Sequence, residues 1–84
     1  MKKLNEIAEL IVKHYESKYD HFEIVGFLPD AVDVIFYSYW EPEIGYMIQY
    51  DTDKNIEIEH FEKIRKDSPV LYREIKNVIN ERGE

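Results

Sequence analysis

AVDVIFYSYWEPEIGYMIQY, residues 31–50, decides how this chain is read. β-Branched and aromatic side chains dominate on both sides of Glu41-Pro42-Glu43, and the helix formers Leu and Lys are missing from it. Two runs of strand length divided by a proline-centred break predict a β-hairpin. The first run, residues 31–40, is apolar on both faces: Val32, Val34, Phe36 and Trp40 alternate with Ile35, Tyr37 and Tyr39, which suits a central strand. The second run is residues 44–51. Register stays open at this level. A two-residue loop at Pro42-Glu43 sets Ile35, Tyr37 and Tyr39 beside Tyr46, Ile48 and Tyr50. A three-residue loop sets Val34, Phe36 and Trp40 there instead, because a shift of one residue exchanges the faces of a strand.

Working outward from the hairpin, residues 21–28 alternate, with Phe22, Ile24 and Leu28 on one side and Glu23, Val25 and Phe27 on the other, and read as a strand. Leu28-Pro29-Asp30-Ala31 supplies the turn into the hairpin, since Pro29 has the φ that a type I turn wants and Asp30 can close it with its side chain. Further back, Leu4, Ile7, Ala8, Ile11 and Tyr15 recur at steps of three and four, widened by Leu10 and Val12, and predict an amphipathic helix over residues 3–19. On the other side, Asp51-Thr52-Asp53-Lys54-Asn55 reads as a loop and residues 56–59 as a short fourth strand with Glu57 and Glu59 towards solvent. Phe61 and Ile64 add a helical turn before Ser68-Pro69, an N-cap followed by proline at the first helical position. Leu71, Ile75, Val78, Ile79 and the stem of Arg82 then stripe a final helix, with Gly83 as its stop. The expectation is one α+β domain spanning residues 1–84: a two-layer fold of N-terminal helix, four-stranded antiparallel meander and C-terminal helix, α-β-β-β-β-α.

A chain of 84 residues buries only about 60 to 65% of the surface that its unfolded form exposes, so stability is expected to be modest. With no cysteine, neither a disulfide nor a thiolate site can supplement the core. Glu6, Glu9 and Lys13 interrupt the N-terminal apolar run and no small-residue cleavage site follows, so a cytoplasmic protein is expected. No run approaches the roughly 20 apolar residues of a membrane span.

Charge is informative in where it sits. Residues 1–20 carry four basic and four acidic groups, residues 63–84 six and four. Residues 21–62 hold ten acidic groups against Lys54 alone, so the net charge of −7 belongs to the sheet region. Such a field repels nucleic acid and anionic membrane and favours basic partners, and net negative charge also serves solubility.

The element order without the fourth strand resembles the double-stranded-RNA-binding domain. RNA phosphates require clustered basic residues, and the strands here have none, so no direct nucleic-acid binding is expected. Residues 51–62 resemble an EF-hand calcium loop: Asp51, Asp53 and Asn55 match positions one, three and five, Ile58 the apolar eighth and Glu62 the twelfth. Its sixth position should be glycine and here is β-branched Ile56, and residues 44–50 read as a strand where an entering helix belongs. The competing reading is a polar hairpin loop leading to a charged edge strand.

His14, His21 and His60 are scattered, and only Glu57 with His60 has a spacing that brings two ligands together on a helix. Ser17, Ser38 and Ser68 form no nucleophile elbow, the three glycines no phosphate loop, and Asp30 with Asp33 are explained by a turn and a solvent-facing position. No catalytic residue, cofactor or enzymatic activity is expected. What remains is surface. If helices cover one sheet face, Asp33, Tyr37, Tyr39, Trp40, Glu41, Glu43, Tyr46, Met47, Asp51 and Asp53 supply aromatic anchors rimmed by acid, as protein interfaces do. The alternative is that the aromatics close the core of a domain short of other bulk.

The expected function is that of a small non-enzymatic binding protein whose acidic, aromatic sheet engages a basic protein partner, such as a nucleic-acid-binding site that it blocks. In charge and size it resembles the small acidic DNA-mimicking inhibitors of phages and mobile elements and the acidic immunity proteins against nucleases. Two other readings stand beside it: a homodimer formed through the aromatic sheet face or the edge strand, and a calcium-binding module at Asp51, Asp53, Asn55 and Glu62.

Overall fold

The computed structural model describes residues 2–27 and 30–81. The turn expected at Leu28-Pro29 and the helix stop expected at Arg82-Gly83 lie outside the described residues. In chain order the elements are α1 (Lys2–Tyr15), a 3-10 turn (Glu16–Lys18), β1 (His21–Phe27), β2 (Ala31–Ser38), β3 (Glu41–Tyr50), β4 (Ile56–Ile58), α2 (Phe61–Asp67) and α3 (Pro69–Asn80). The strands form one antiparallel sheet in the order β1-β2-β3-β4. The helices pack on one of its faces, giving a two-layer α+β architecture. Among the described residues no helix is long and apolar enough to cross a membrane.

The stripe on α1 is what places it. Leu4, Ile7, Ala8, Ile11 and Tyr15 are buried along one side, against Val32, Val34 and Phe36 of β2 and Tyr46 and Ile48 of β3. The helix ends earlier than its periodicity predicts: Tyr19, the next position of the stripe, leaves the helix to stack on Phe36 with ring centroids 5.0 Å apart. The backbone N–H of Asp20 then donates to the carbonyl of Tyr37 (2.9 Å), which turns the chain into β1.

The C-terminal segment is two helices rather than one helix preceded by a turn. Ser68 separates them: its extended backbone ends α2, and its Oγ accepts from the Leu71 N–H (3.2 Å) to cap α3. Ile64, Leu71, Ile75 and Val78 complete the core. Lys3 Nζ donates to the carbonyls of Ile79 (3.4 Å) and Glu81 (2.5 Å), so a cation on the first turn of α1 meets the carbonyl end of α3, where the helix dipole favours it.

The register resolves the choice that the sequence leaves open. Val34 pairs with Tyr46, Val32 with Ile48 and Phe36 with Ile44. The hairpin turns at Tyr39-Trp40 and not at Pro42, which lies within β3. Tyr39 takes a left-handed conformation (φ 61°), and its N–H donates to a carboxylate oxygen of Asp20. The register slips between Phe36 and Tyr37, leaving Glu43 as an extra residue between the Phe36–Ile44 and Tyr37–Pro42 pairs. Proline is tolerated in β3 here because β4 pairs only with residues 48–50, so no neighbour on that side needs the missing N–H.

Candidate functional site

Because side chains alternate along a strand, seating Val34, Phe36, Tyr46 and Ile48 under the helices sends the residues between them to the opposite, uncovered face. The pairing rows define that face. One row runs Glu23, Ile35, Gly45 and the next Val25, Asp33, Met47. Gln49 pairs with Glu57 beyond them, and the N–H of Glu59 donates to the carbonyl of Met47 (2.8 Å), which brings Glu59 alongside. Met47, Gln49, Glu57 and Glu59 also line a cleft of about 500 Å³ along β4. The four strands carry no lysine or arginine.

Asp33 stands at the centre of this face. It lies on β2, one of the two inner strands, framed by Val25, Ile35 and Met47. Gly45 leaves the room for it: a Cβ on Gly45 would lie 3.4 Å from Asp33 Oδ1. That oxygen is buried and has no hydrogen-bond partner among the described residues. Burial first, and then the charge of Glu59, hold the Asp33 carboxyl above the usual carboxylate range. A carboxylate in an apolar frame, among other acids and with no cation paired to it among the described residues, is electrostatically unsatisfied. An ammonium or guanidinium group brought from outside would supply what it lacks.

At one end of the face, Tyr37 stacks on His21 (centroids 4.6 Å), and its phenol is pushed up by hydrogen bonding to Glu23 and by burial. Tyr39 and Trp40 follow in the hairpin turn, 80% and 95% exposed, beside exposed Glu41 and Glu43.

The residues expected to share one surface are therefore divided. Asp33, Tyr37 and Met47 lie on the open face, and Tyr39, Trp40, Glu41 and Glu43 at its hairpin end. Tyr46 does not belong with them: it is fully buried, stacked on Tyr15 (5.7 Å) and edge-on to Phe36 (6.0 Å), because the register turns it towards the helices. Asp51 and Asp53 lie at the far end of β3, roughly 30 Å from Glu41 at the rise of an extended strand. Glu23, Val25, Ile35, Gly45, Glu57 and Glu59, absent from the expected set, complete the face. The signal was in the sequence as a shared parity: within residues 31–37 and 44–50, Asp33 and Gln49 are the polar interruptions, and they mark the solvent side.

The loop from residue 51 is organised from within. Asp51 Oδ1 accepts from the N–H groups of Asp53 (2.8 Å) and Asn55 (2.9 Å), Lys54 takes the left-handed conformation, and Ile56 enters β4 as extended chain. Glu62 sits on α2 and pairs with Arg65 (3.1 Å). Asp51, Asp53 and Asn55 thus lie in the loop between β3 and β4 and Glu62 on α2 beyond β4, and no grouping of acids and histidines able to hold a metal ion occurs among the described residues. Glu57 and His60 do not share a helical face, since Glu57 is in β4 and His60 precedes α2 with φ 62°.

A second polar feature lies in the core. The hydroxyls of Tyr15 and Tyr46 are buried without hydrogen-bond partners among the described residues. Burial, then the neighbouring Tyr46 and Asp67, push Tyr15 up to about 12. A phenol so far from ionisation acts as packing, and the rings of Tyr15, Tyr19, Phe36 and Tyr46 fill this end of the core. Comparison with protein-family models, with curated proteins and with solved structures finds no match.

Proposed function

We propose that the protein is a small, non-enzymatic binding protein that docks a basic surface of another protein onto the open face of its sheet and blocks it. The observation that carries this reading is Asp33: a buried carboxylate oxygen without a hydrogen-bond partner among the described residues, at the centre of an uncovered face whose strands hold no lysine or arginine. Val25, Ile35 and Met47 around it offer apolar contact for the stem of a lysine or arginine, and Glu23, Glu57 and Glu59 form an acidic rim that steers the approach. Exposed Trp40 and Tyr39 at the hairpin add the aromatic anchors that interfaces favour. A surface with this charge suits a target that itself binds nucleic acid.

The test is a pull-down from lysate with wild-type chain and with Asp33→Lys/Glu57→Lys as baits, washed at low and at high salt. A basic protein held by the wild type, shed at high salt and missing from the charge-reversed bait supports the reading. Proteins retained equally by both baits would refute it.

A further inference from the structure

We propose that two copies of the chain pair through the outer edge of β1, joining their sheets into one of eight strands. The proposal is independent of the binding reading and rests on the main chain of β1. The N–H of Tyr50 donates to the carbonyl of Asp30 (3.1 Å), so the even-numbered residues of β3 bond towards β2. The N–H of Glu59 donates to Met47 (2.8 Å), so the odd-numbered residues bond towards β4. Carried through the register, in which Val34 faces Tyr46 and Ile35 faces Glu23, this alternation makes Asp33 and Ile35 bond towards β1. It leaves the N–H and C=O groups of Phe22, Ile24 and Gly26 pointing out of the sheet.

The two sheet edges are treated differently. On the far side β4 has only three residues and the stretch of β3 that it leaves uncovered carries Pro42 and the bulge at Glu43, whereas β1 runs for seven, His21–Phe27, with no lysine, proline or bulge in it. Phe22 (37% exposed) and Ile24 (43% exposed) stand beside that edge on the helix side, beyond the cover of α1.

An antiparallel pair of β1 strands with Ile24 on the two-fold axis is self-complementary. Ile24 faces Ile24 of the second copy, and Phe22 faces Gly26, so every outward-pointing residue exchanges its main-chain bonds. Each Phe22 ring lies across a glycine, an arrangement that protects an exposed strand glycine. Glu23 faces Val25 of the second copy, not another carboxylate. The axis stands perpendicular to the sheet, so the helices of both copies lie on one side and the two open faces are contiguous on the other.

The experiment is sedimentation equilibrium of the full chain over a wide concentration range at low and high salt, with Ile24→Lys alongside. The expected result is a mass of twice 10.2 kDa at high concentration, favoured by salt because each chain carries −7, and a monomer for Ile24→Lys with unchanged circular dichroism. A second variant tests register. Since the chain has no cysteine, Ile24→Cys should oxidise to a covalent dimer, and Glu57→Cys at the opposite edge should not. A monomer at every concentration, or a dimer indifferent to Ile24→Lys, would overturn the proposal. The salt response separates the two readings, since pairing is strengthened by salt and docking of a basic partner is weakened by it.

Discussion

Replacing Asp33 by valine should make the protein more stable and deprive it of its partner. The substitution removes a buried acceptor that has no hydrogen bond among the described residues and puts a β-branched side chain between Val25, Ile35 and Met47. An orphaned buried acceptor costs about 1 to 3 kcal/mol. Asp33 keeps some solvent contact, so the lower part of that range, about 1 to 2 kcal/mol, applies. For a chain of this length each kcal/mol moves Tm by about 4 to 8 °C, so a rise of roughly 5 to 15 °C is expected at pH 7. The effect has a sign in pH. The folded-state value of this carboxyl is raised, so ionisation disfavours the fold. Below the ordinary carboxylate value the group is protonated in both folded and unfolded chains and the penalty is absent. Above the raised folded value it is complete. The advantage of Asp33→Val should therefore grow with pH across that window and be smallest in acid. Thermal melts followed by circular dichroism at a series of pH values measure this directly. A variant that melts at or below wild type at pH 7, or whose advantage is larger in acid, would refute the assignment of Asp33 as an unsatisfied charge.

Phe36 is fully buried among the rings of Tyr15, Tyr19, Phe22 and Tyr46, so Phe36→Ala should cost about 3 to 5 kcal/mol. That is a large part of the about 5 to 15 kcal/mol available to a domain, and urea titration should show a much lower midpoint or no cooperative transition. Ser68→Ala removes the side-chain cap of α3 and should lower Tm by about 4 to 8 °C, corresponding to about 1 kcal/mol, whereas Ser68→Asp should retain most of the stability.

The outer edge of β1 and the open face around Asp33 belong to the same sheet, which has a consequence for partner binding. Pairing through β1 would set two Asp33 faces side by side on one surface, so a target with two basic patches would bind more tightly than a target with one.

What the sequence determined alone were the features encoded by neighbours along the chain. The stripe from Leu4 to Tyr15 made α1, the alternation and β-branching of residues 31–50 made the hairpin, and Ser68-Pro69 marked the start of α3. Each depends on the period of one element or the chemistry of one cap, and these are local quantities. The hairpin turns at Tyr39-Trp40 and not at the proline for a physical reason. Pro42 is a strong local breaker, yet a bulge at Glu43 and a short β4 remove its cost, and the carboxylate of Asp20, far along the chain, holds Tyr39 in the conformation that closes the hairpin. Which face of β2 lies inside was marked in its own residues by Asp33 alone, because both faces are otherwise apolar. Tertiary structure decided it, since Tyr46 and Phe36 fit beneath Tyr15 of α1 while Gly45 leaves space for Asp33 on the other side. That choice sent Tyr46 to the core and Asp33 to the surface. The candidate site follows from packing between elements, which local periodicity cannot express.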